Sequence, residues 1–251
     1  MSDTLELLRK MKLKINSKHL IGGWMQIADN TIAQILSSKK FDFITLDMEH
    51  GSIFIKDIQG LSEVIKNNNS VPLVRVNKPD VYVAKKVLEQ GAGGVILPMI
   101  ESFGQFNNIA QGLYYPPNGN RSIGFSNAND YGQALKKHIN KFKPFIVCMV
   151  ENVQVLDDLD DILGSKYLDS ILIGPYDLSS SLGMCGEFNN PKFIKIIKSI
   201  RKKARLKNKP CGIHIVNPIF DDLKQAIKTG DRFIPFSLDT VLLEESLRDF
   251  K

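Results

Sequence analysis

Short apolar runs alternate along this chain with amphipathic helical patterns, and there are eight such runs. They are almost continuously apolar, which is typical of parallel strands that helices cover on both faces. Eight strands within 251 residues predict a closed (β/α)₈ barrel. A doubly wound sheet is the alternative, but no glycine-rich phosphate loop follows the first run. The predicted strands are residues 22–27, 42–48, 71–76, 94–100, 144–150, 169–175, 211–216 and 233–239.

Two segments lie outside this alternation. Residues 3–14 predict an extra N-terminal helix that covers the amino end of the barrel. Residues 114–132 are rich in Gly, Pro, Asn and Ser and predict a long loop, which in a compact domain is usually functional. Because no repeat or low-complexity linker divides the chain, we expect one domain over residues 1–251.

Composition narrows the class of protein. Apolar residues make up 43% of the chain and charged residues 24%, as in ordinary globular proteins. No apolar run approaches the roughly 20 residues that span a bilayer, and the N-terminal segment lacks the apolar stretch of a secretory signal. The three cysteines show no metal-binding spacing. We therefore expect a cytoplasmic protein with no membrane partner.

The net charge of +6 leaves a nucleic-acid partner to be considered. The densest basic segment, residues 201–209, lies inside a helical pattern that begins near Pro191. No aromatic residues interleave with its lysines, and no nucleic-acid-binding motif occurs. The segment therefore predicts one solvated helix face and no nucleic-acid partner.

Polar side chains cluster where the predicted strands end. Asp47 and His50 lie at the end of the second strand, Arg75 at the end of the third, Glu151 at the end of the fifth and Gly174–Asp177 at the end of the sixth. Active sites of (β/α)₈ barrels lie at the carboxyl ends of the strands. Buried carboxylates there are costly unless a cation or a hydrogen-bonding partner compensates them. This end of the barrel is therefore the predicted site.

The carboxylates and the histidine allow two interpretations each. Glu151 and Asp177 on neighbouring strands suit a hard octahedral cation such as Mg²⁺ or Mn²⁺, or they only cap strand ends. Asp47 precedes His50 by three residues, and such a carboxylate typically orients an imidazole for acid–base catalysis. The alternative for His50 is a surface histidine with an acid nearby.

Two arginines and one further histidine lie in or near the predicted strands and loops. Arg75 suits a substrate carboxylate or an enolate oxygen, or it forms an internal ion pair with Asp47 or Glu49. Arg121, in the long loop, is a second candidate for an acidic substrate. His214 lies within the seventh predicted strand and is predicted to be structural.

These positions carry a resemblance to a known family. From about Gly23 to Asp239 the chain resembles the HpcH/HpaI family of class II pyruvate aldolases. Six motifs occur in the family's order along the predicted strands. They are FDFITLDMEHGS, VRVNKPD, VLEQGAGGVILPMIES, YYPPNGNRSIGF, MVEN and IGPYDLSSSLG.

The resemblance implies an activity and its cofactor. The chain would be a carbon–carbon lyase that reversibly cleaves a 4-hydroxy-2-oxo acid to pyruvate and an aldehyde through an enolate. It would depend on a divalent metal (Mg²⁺, Mn²⁺ or Co²⁺). It would form a homo-oligomer, typically a hexamer, in which Glu89 reaches a neighbour's site.

The resemblance also implies a role for each site residue. Glu151 and Asp177 would bind the metal, and Arg75 would stabilise the enolate. His50, oriented by Asp47, would move the proton of the aldol hydroxyl. The substrate would be bound by Arg75, Gly174, Pro175, Tyr176, Asp177 and Arg121.

The chain departs from the family's pattern near these groups. Met149 stands where Gln is common, Tyr176 where Ala is common, Glu89 where Asp is common, and Ser122 follows Arg121 in place of Gly. No proposed ligand or base is lost. These departures bear on substrate preference and metal geometry, because they lie close to the reacting groups.

Other functions stay open at this point. The chain could be a CoA-ester lyase of the citrate-lyase β type, or a citrate synthase-like enzyme that condenses carboxylic acids. It could also be a non-catalytic scaffold. A class I aldolase needs a Schiff-base lysine in an apolar pocket. Lys78 is the one lysine near a predicted strand end, but it lies in a polar turn beside Pro79.

Overall fold

The computed structural model describes residues 4–250. Its strands are parallel, and each pairs with its neighbours in one sheet. They are β1 (Leu20–Met25), β2 (Phe43–Asp47), β3 (Val71–Arg75), β4 (Gly94–Leu97), β5 (Phe145–Val150), β6 (Ser170–Ile173), β7 (Cys211–Ile213) and β8 (Phe233–Pro235). Their order in the sheet is β7-β6-β5-β4-β3-β2-β1-β8.

Hydrogen bonds between β7 and β8 close this sheet into a barrel. The backbone N–H of Arg232 donates to the carbonyl of Cys211 at 2.8 Å, and that of Ile215 donates to Pro235 at 3.0 Å. The N–H of Ser237 returns to Ile215 at 2.7 Å. The predicted (β/α)₈ barrel is therefore confirmed, and the doubly wound alternative is wrong. Because residues 1–3 and 251 lie outside the described part, the prediction of one domain over residues 1–251 stays a prediction.

Helices follow the strands and cover the barrel. They are α1 (Thr4–Ile15), α2 (Asn30–Ser37), α3 (Ile55–Asn67), α4 (Val81–Glu89), α5 (Phe103–Gly112), α6 (Leu135–Lys141), α7 (Leu159–Gly164), α8 (Pro175–Ser181), α9 (Pro191–Leu206), α10 (Phe220–Thr229) and α11 (Asp239–Leu247). Polar side chains begin several of them: Asp29 accepts from the N–H of Thr31, and Asp80 from that of Val83. Among residues 4–250, no helix combines the length and apolar character of a membrane span.

Helix α1 covers the amino end of the barrel, as predicted. Its apolar face is buried, and Lys12 Nζ donates to the carbonyl of Pro144 at 2.9 Å and to the carboxylate of Asp169 at 2.7 Å. Both partners lie immediately before a strand, β5 and β6 respectively. The predicted first residue of this helix, residue 3, lies outside the described residues.

An aromatic layer fills the lower part of the barrel. The rings of Phe43 and Phe233 stack with centroids 4.5 Å apart, and Phe145 lies 5.8 Å from Phe233. Gly22 makes room for this layer, because a Cβ there would meet the Phe43 ring at 2.1 Å. Aromatic rings therefore fill the barrel interior at this end.

Several predicted strands run too far at their carboxyl ends. β4 ends at Leu97 and not at residue 100, since Met99 has a φ of 49°. β6 ends at Ile173, and Pro175 already begins α8, because proline suits the first position of a helix. The apolar pattern continues past the point where the backbone leaves the sheet. Residues 201–206 of the basic segment form the end of a helix, α9, and residues 207–209 follow it. The loop at 114–132 contains a 3₁₀ element over Asn127–Gly132 that is interrupted at Asp130 and Tyr131, where φ is 52°.

Candidate active site

A buried ion pair joins the carboxyl ends of β2 and β3. Arg75 Nε donates to Asp47 Oδ1 at 2.9 Å, and Arg75 Nη2 donates to Asp47 Oδ2 at 2.7 Å. Trp24 Nε1 and Gln26 Nε2 also donate to Oδ2, at 3.2 and 3.1 Å. Burial alone would raise the pKa of Asp47, but the hydrogen bonds and charge of Arg75 lower it to about 2, with help from Gln26 and Trp24. The carboxylate is therefore ionised and fixed in place.

Arg75 also pairs with the next acidic residue, Glu49. Arg75 Nη1 lies 2.9 Å from Glu49 Oε2, an oxygen that is buried and has no well-aligned hydrogen bond among the described residues. Burial raises the pKa of Glu49, against the opposing charge of Arg75. The interpretation of Arg75 as a member of an internal ion pair with Asp47 or Glu49 is therefore confirmed, and it pairs with both.

The structure does not pair Asp47 with the His50 imidazole. Asp47 Oδ1 accepts from the backbone N–H groups of Glu49 and His50, at 3.1 and 3.3 Å. The His50 side chain is 62% exposed, and its Nε2 lies 4.0 Å from Glu49 Oε2. The expected contact is absent within residues 4–250 because Arg75, Trp24 and Gln26 already use the Asp47 oxygens. His50 nevertheless lies just beyond the carboxyl end of β2, at the open end of the barrel that we call its mouth.

Glu151 is a buried carboxylate at the carboxyl end of β5. It is 2% exposed, and its Oε2 accepts from the backbone N–H of Met99 at 2.9 Å. Burial raises its pKa to about 7; the charges of Glu49 and Asp177 add to this, and the Met99 hydrogen bond and Arg75 oppose it. At neutral pH the group is therefore partly protonated, and a bound cation would favour its ionised form.

Gly174 leaves the space that Glu151 occupies. A Cβ at Gly174 would lie 2.7 Å from Glu151 Cγ and 2.8 Å from its Oε1. Real Cβ atoms essentially never approach so closely, so an alanine here would displace the carboxylate. This glycine sits at the junction of β6 and α8, and Asp177 lies in the first turn of α8, where it is exposed.

The donor set suits a divalent cation. Arg75 neutralises Asp47, which leaves Glu49, Glu151 and Asp177 as the acidic groups of the site; the charge of Asp177 helps to raise the pKa of both Glu49 and Glu151. Their oxygens are the ligands that Mg²⁺ and Mn²⁺ prefer. Over residues 4–250, no group of three or more His, Cys, Asp or Glu side chains has a metal-binding arrangement. A metal here would take two carboxylates and complete its shell with water and substrate oxygens.

Arg121 and Glu89 lie at the other end of the barrel. Arg121 is 3% exposed, with its guanidinium 4.8 Å from the Tyr115 ring and 5.5 Å from the Phe142 ring. Glu89 ends α4 and pairs with Lys86 at 3.0 Å. Because α4 runs antiparallel to the strands, its last residue lies near their amino ends. The prediction that Arg121 binds an acidic substrate stays a prediction; within this chain its side chain is buried against aromatic rings, away from Glu151.

The sequence of this chain was compared with models of known protein families. The chain matches the HpcH/HpaI aldolase/citrate lyase family over residues 20–245. The chain belongs to this family. The match covers β1 to β8 and therefore includes every strand that supplies a site residue.

Individual relatives agree with the family. A hydroxypyruvate/pyruvate aldolase of Roseobacter denitrificans is 31% identical over 89% of this chain and 88% of its own length. A 2-keto-3-deoxy-L-rhamnonate aldolase of Shigella sonnei is 28% identical over 96% of this chain and 89% of its own. Among solved structures, an HpcH/HpaI family protein of Burkholderia cenocepacia has a TM-score of 0.89 at 22% identity, covering 95% of this chain and 96% of that one. This structural similarity supports the fold alone.

Sequence reasoning missed three residues of this HpcH/HpaI site. Glu49 is a member of the acidic cluster and not only a partner for Arg75. Trp24 donates to Asp47, and His214 stacks on Trp24 with ring centroids 4.5 Å apart. The alternation of side chains along the strands could have identified two of them. Alternate residues of a barrel strand point inward, so Trp24 and His214 could have been placed in the interior with the charged residues at the strand ends.

Proposed function

We propose that the chain is a divalent-metal-dependent aldolase that cleaves a 4-hydroxy-2-oxo acid to pyruvate and an aldehyde, and catalyses the reverse condensation. The observation that carries this proposal is the buried Glu151 carboxylate, which shares the barrel mouth with Glu49, Asp177 and Arg75. Membership in the HpcH/HpaI aldolase/citrate lyase family supports it. So does the likeness to a hydroxypyruvate/pyruvate aldolase.

Glu151 and Asp177 would hold the metal in this reaction. When bound, a divalent cation would polarise the keto oxygen of the 2-oxo acid and lower the cost of forming an enolate. The backbone from Gly174 to Asp177 would line the space for the substrate carboxylate, because α8 begins there and helix N-termini favour anions.

Arg75 would stabilise the negative charge that develops on the enolate oxygen. Its Nε and one N–H of Nη2 are used by Asp47, and Nη1 faces Glu49. Each Nη atom carries a second N–H, so donors remain for a substrate. Asp47 holds the guanidinium plane, and preorganised donors of this kind contribute strongly to catalysis.

His50 would transfer the proton of the aldol hydroxyl. Its exposed imidazole stands at the mouth, with Glu49 as the nearest carboxylate at 4.0 Å. We assign Glu49, and not Asp47, as the acid next to this ring. His50 then has a solvent path for proton exchange, as a group that alternates between acid and base requires.

The test is exchange of the pyruvate methyl protons with deuterium, followed by NMR. We expect exchange with Mg²⁺, Mn²⁺ or Co²⁺ and its loss in excess EDTA. Glu151→Gln and Asp177→Asn should weaken binding of Mn²⁺, measured by calorimetry, much more than they lower the melting temperature. Full exchange in EDTA, or a pyruvate–lysine adduct trapped by borohydride, would contradict the proposal.

A further inference from the structure

Side chains at the start of the C-terminal helix, α11, reach the end of β1. Asp239 is 4% exposed, and its carboxylate accepts from the backbone N–H groups of Gln26 and Ile27, both at 2.9 Å. The hydroxyl of the next residue, Thr240, donates to Gln26 Oε1 at 2.8 Å. Asp239 is buried, whereas residues 242–244 of the same helix are exposed. The first turn of α11 is therefore joined to the end of β1 by polar side chains.

Gln26 extends this contact into the candidate site. The register of β1 and β2 pairs Met25 with Leu46, so the next residues, Gln26 and Asp47, lie side by side. Gln26 Nε2 donates to Asp47 Oδ2 at 3.1 Å. Because the ionised Asp47 carboxylate can only accept, the amide nitrogen of Gln26 must face it and the amide oxygen must face Thr240. The two contacts together define a single orientation of the Gln26 side chain.

The same carboxylate oxygen also receives the catalytic guanidinium. Asp47 Oδ2 accepts from Arg75 Nη2 at 2.7 Å, next to the donor from Gln26. The Trp24 indole N–H donates to this oxygen as well, at 3.2 Å. A carboxylate that lost the Gln26 donor would be freer to turn about its Cβ–Cγ bond, and the Arg75 guanidinium would turn with it. The Gln26 amide therefore bears on the position of Nη2.

We infer that Thr240 and Gln26 are positioning residues for the reaction of this barrel. Thr240 orients the Gln26 amide, and the amide holds Asp47 in the plane that the guanidinium needs. The inference rests on the proposed function, in which Arg75 stabilises the enolate. Its effect passes through Asp47 and Arg75, along hydrogen bonds from Thr240 to Gln26, from Gln26 to Asp47 and from Arg75 to Asp47. The C-terminal helix is thereby connected to the reacting end of the site.

The test is a double-mutant cycle on pyruvate methyl exchange, measured by NMR in the metal-loaded enzyme. Thr240→Val removes the hydroxyl and keeps a branched side chain, and should lower kcat for exchange by about 3- to 10-fold, the worth of one neutral hydrogen bond. Gln26→Met removes the amide and should lower it by about 10- to 100-fold, because hydrogen bonds to charged groups are worth more. Adding Thr240→Val to Gln26→Met should change nothing further, since Thr240 acts through the amide.

Matched variants separate positioning from a general effect on the fold. Thr240→Ser keeps the hydroxyl and should restore exchange. Thr229→Val makes the same change in α10, where the Thr229 hydroxyl donates to the carbonyl of Gln225 at 2.7 Å, and should leave exchange unchanged. In Thr240→Val, KM for pyruvate and calorimetric binding of Mn²⁺ should stay close to the wild-type values, because the path ends at Arg75 and not at Glu151.

Trp24 reports on Asp47 without any catalysis. It is the single tryptophan of the chain, so its indole N–H gives one ¹H–¹⁵N resonance. Because the indole donates to the same oxygen as Gln26, this resonance should move in Thr240→Val and in Gln26→Met. It should stay in place in Thr229→Val.

Failure of the inference and failure of the proposed function give different results. Normal exchange in Thr240→Val, or an indole resonance that does not move, would overturn the inference and leave the proposed aldolase intact. Losses that add in the double variant would also overturn it, because Thr240 would then act by a route other than Gln26. So would a fall in Mn²⁺ affinity equal to the fall in exchange, since the substitution would then loosen the site as a whole. A wild-type enzyme that never exchanges pyruvate protons would overturn the proposed function, and this inference with it.

Discussion

The carboxylate of Asp47 is fully buried and accepts hydrogen bonds from the side chains of Trp24, Gln26 and Arg75. It also accepts from two backbone N–H groups in the turn that follows β2. This single group therefore sets the position of the guanidinium and the path of the loop that carries His50. Its effect on catalysis should pass through Arg75, because that is the side chain it holds by two hydrogen bonds.

Asp47→Asn should consequently behave like a change of Arg75 and not like a change of His50. We expect it to lower both pyruvate exchange and aldol cleavage, because both need the positioned guanidinium. His50→Ala should lower kcat for cleavage by about 10²–10⁴-fold, the usual worth of an acid–base group, and leave exchange nearly intact. NMR exchange and a coupled pyruvate assay measure the two rates. An Asp47→Asn variant with normal exchange would show that Asp47 does not act through Arg75.

Gly174 provides a test of the Glu151 position that removes no charged group. Gly174→Ala should weaken Mn²⁺ binding by about 10- to 100-fold, the range for disturbing groups that orient a metal ligand. The control is Gly104→Ala in α5, where an added Cβ meets nothing within 4 Å. Calorimetric titration of both variants with Mn²⁺ gives the comparison. Equal affinity in the two would mean that Glu151 is not held against Gly174 when the metal binds.

At the scale of elements, α9 is tied to the start of β8 by a buried ion pair. Arg201 Nε donates to Asp231 Oδ1 at 2.8 Å, and Arg201 Nη2 donates to Oδ2 at 2.5 Å. Asp231 is 2% exposed, and burial raises its pKa against the opposing effect of Arg201. The pair holds the outer helix against the strand that closes the barrel. Its loss should therefore destabilise the closure.

Arg201→Met should lower the free energy of unfolding by about 3–5 kcal/mol, because it leaves Asp231 buried and unpaired. Lys224→Ala is the matched control, since Lys224 and Asp221 form an exposed pair at 2.9 Å and such pairs contribute about 0–1 kcal/mol. Urea unfolding followed by circular dichroism measures both. If the two variants lost the same small amount, water would be solvating Asp231 in place of the arginine.

At the scale of the whole molecule, Arg121 and Glu89 lie at the end of the barrel opposite the candidate site. Arg121 is buried, and its Nε and Nη1 have no hydrogen-bond partner within residues 4–250. If Glu89 has a catalytic role, it must serve the site of another copy, because its own chain holds it away from Glu151. A homo-oligomer, a hexamer in the prediction from sequence, remains a proposal on these grounds.

Sedimentation velocity should accordingly show a species well above the 28.2 kDa of one chain. Glu89→Gln should reduce aldol cleavage while leaving metal binding to Glu151 and Asp177 unchanged. Lys224→Ala, on the outer surface, serves as the control for assembly and activity. A strict monomer with full activity would contradict a shared site.

Apolar pattern by itself determined the barrel, its eight strands, the N-terminal helix and the end of the molecule where charges gather. It succeeded because a strand covered on both faces must be apolar throughout, and a charge at its end must therefore be compensated. Tertiary structure alone decided which charges meet. The closure of the barrel brings β7 beside β8 and sets His214 against Trp24, although 190 positions separate them in the chain. Spacing suggested a pair between Asp47 and His50, but Asp47 instead accepts hydrogen bonds from the guanidinium of Arg75 and the indole of Trp24. Arg75 pairs with Asp47 in the register of β2 and β3, and Trp24 lies on the other neighbouring strand, β1, opposite Thr45.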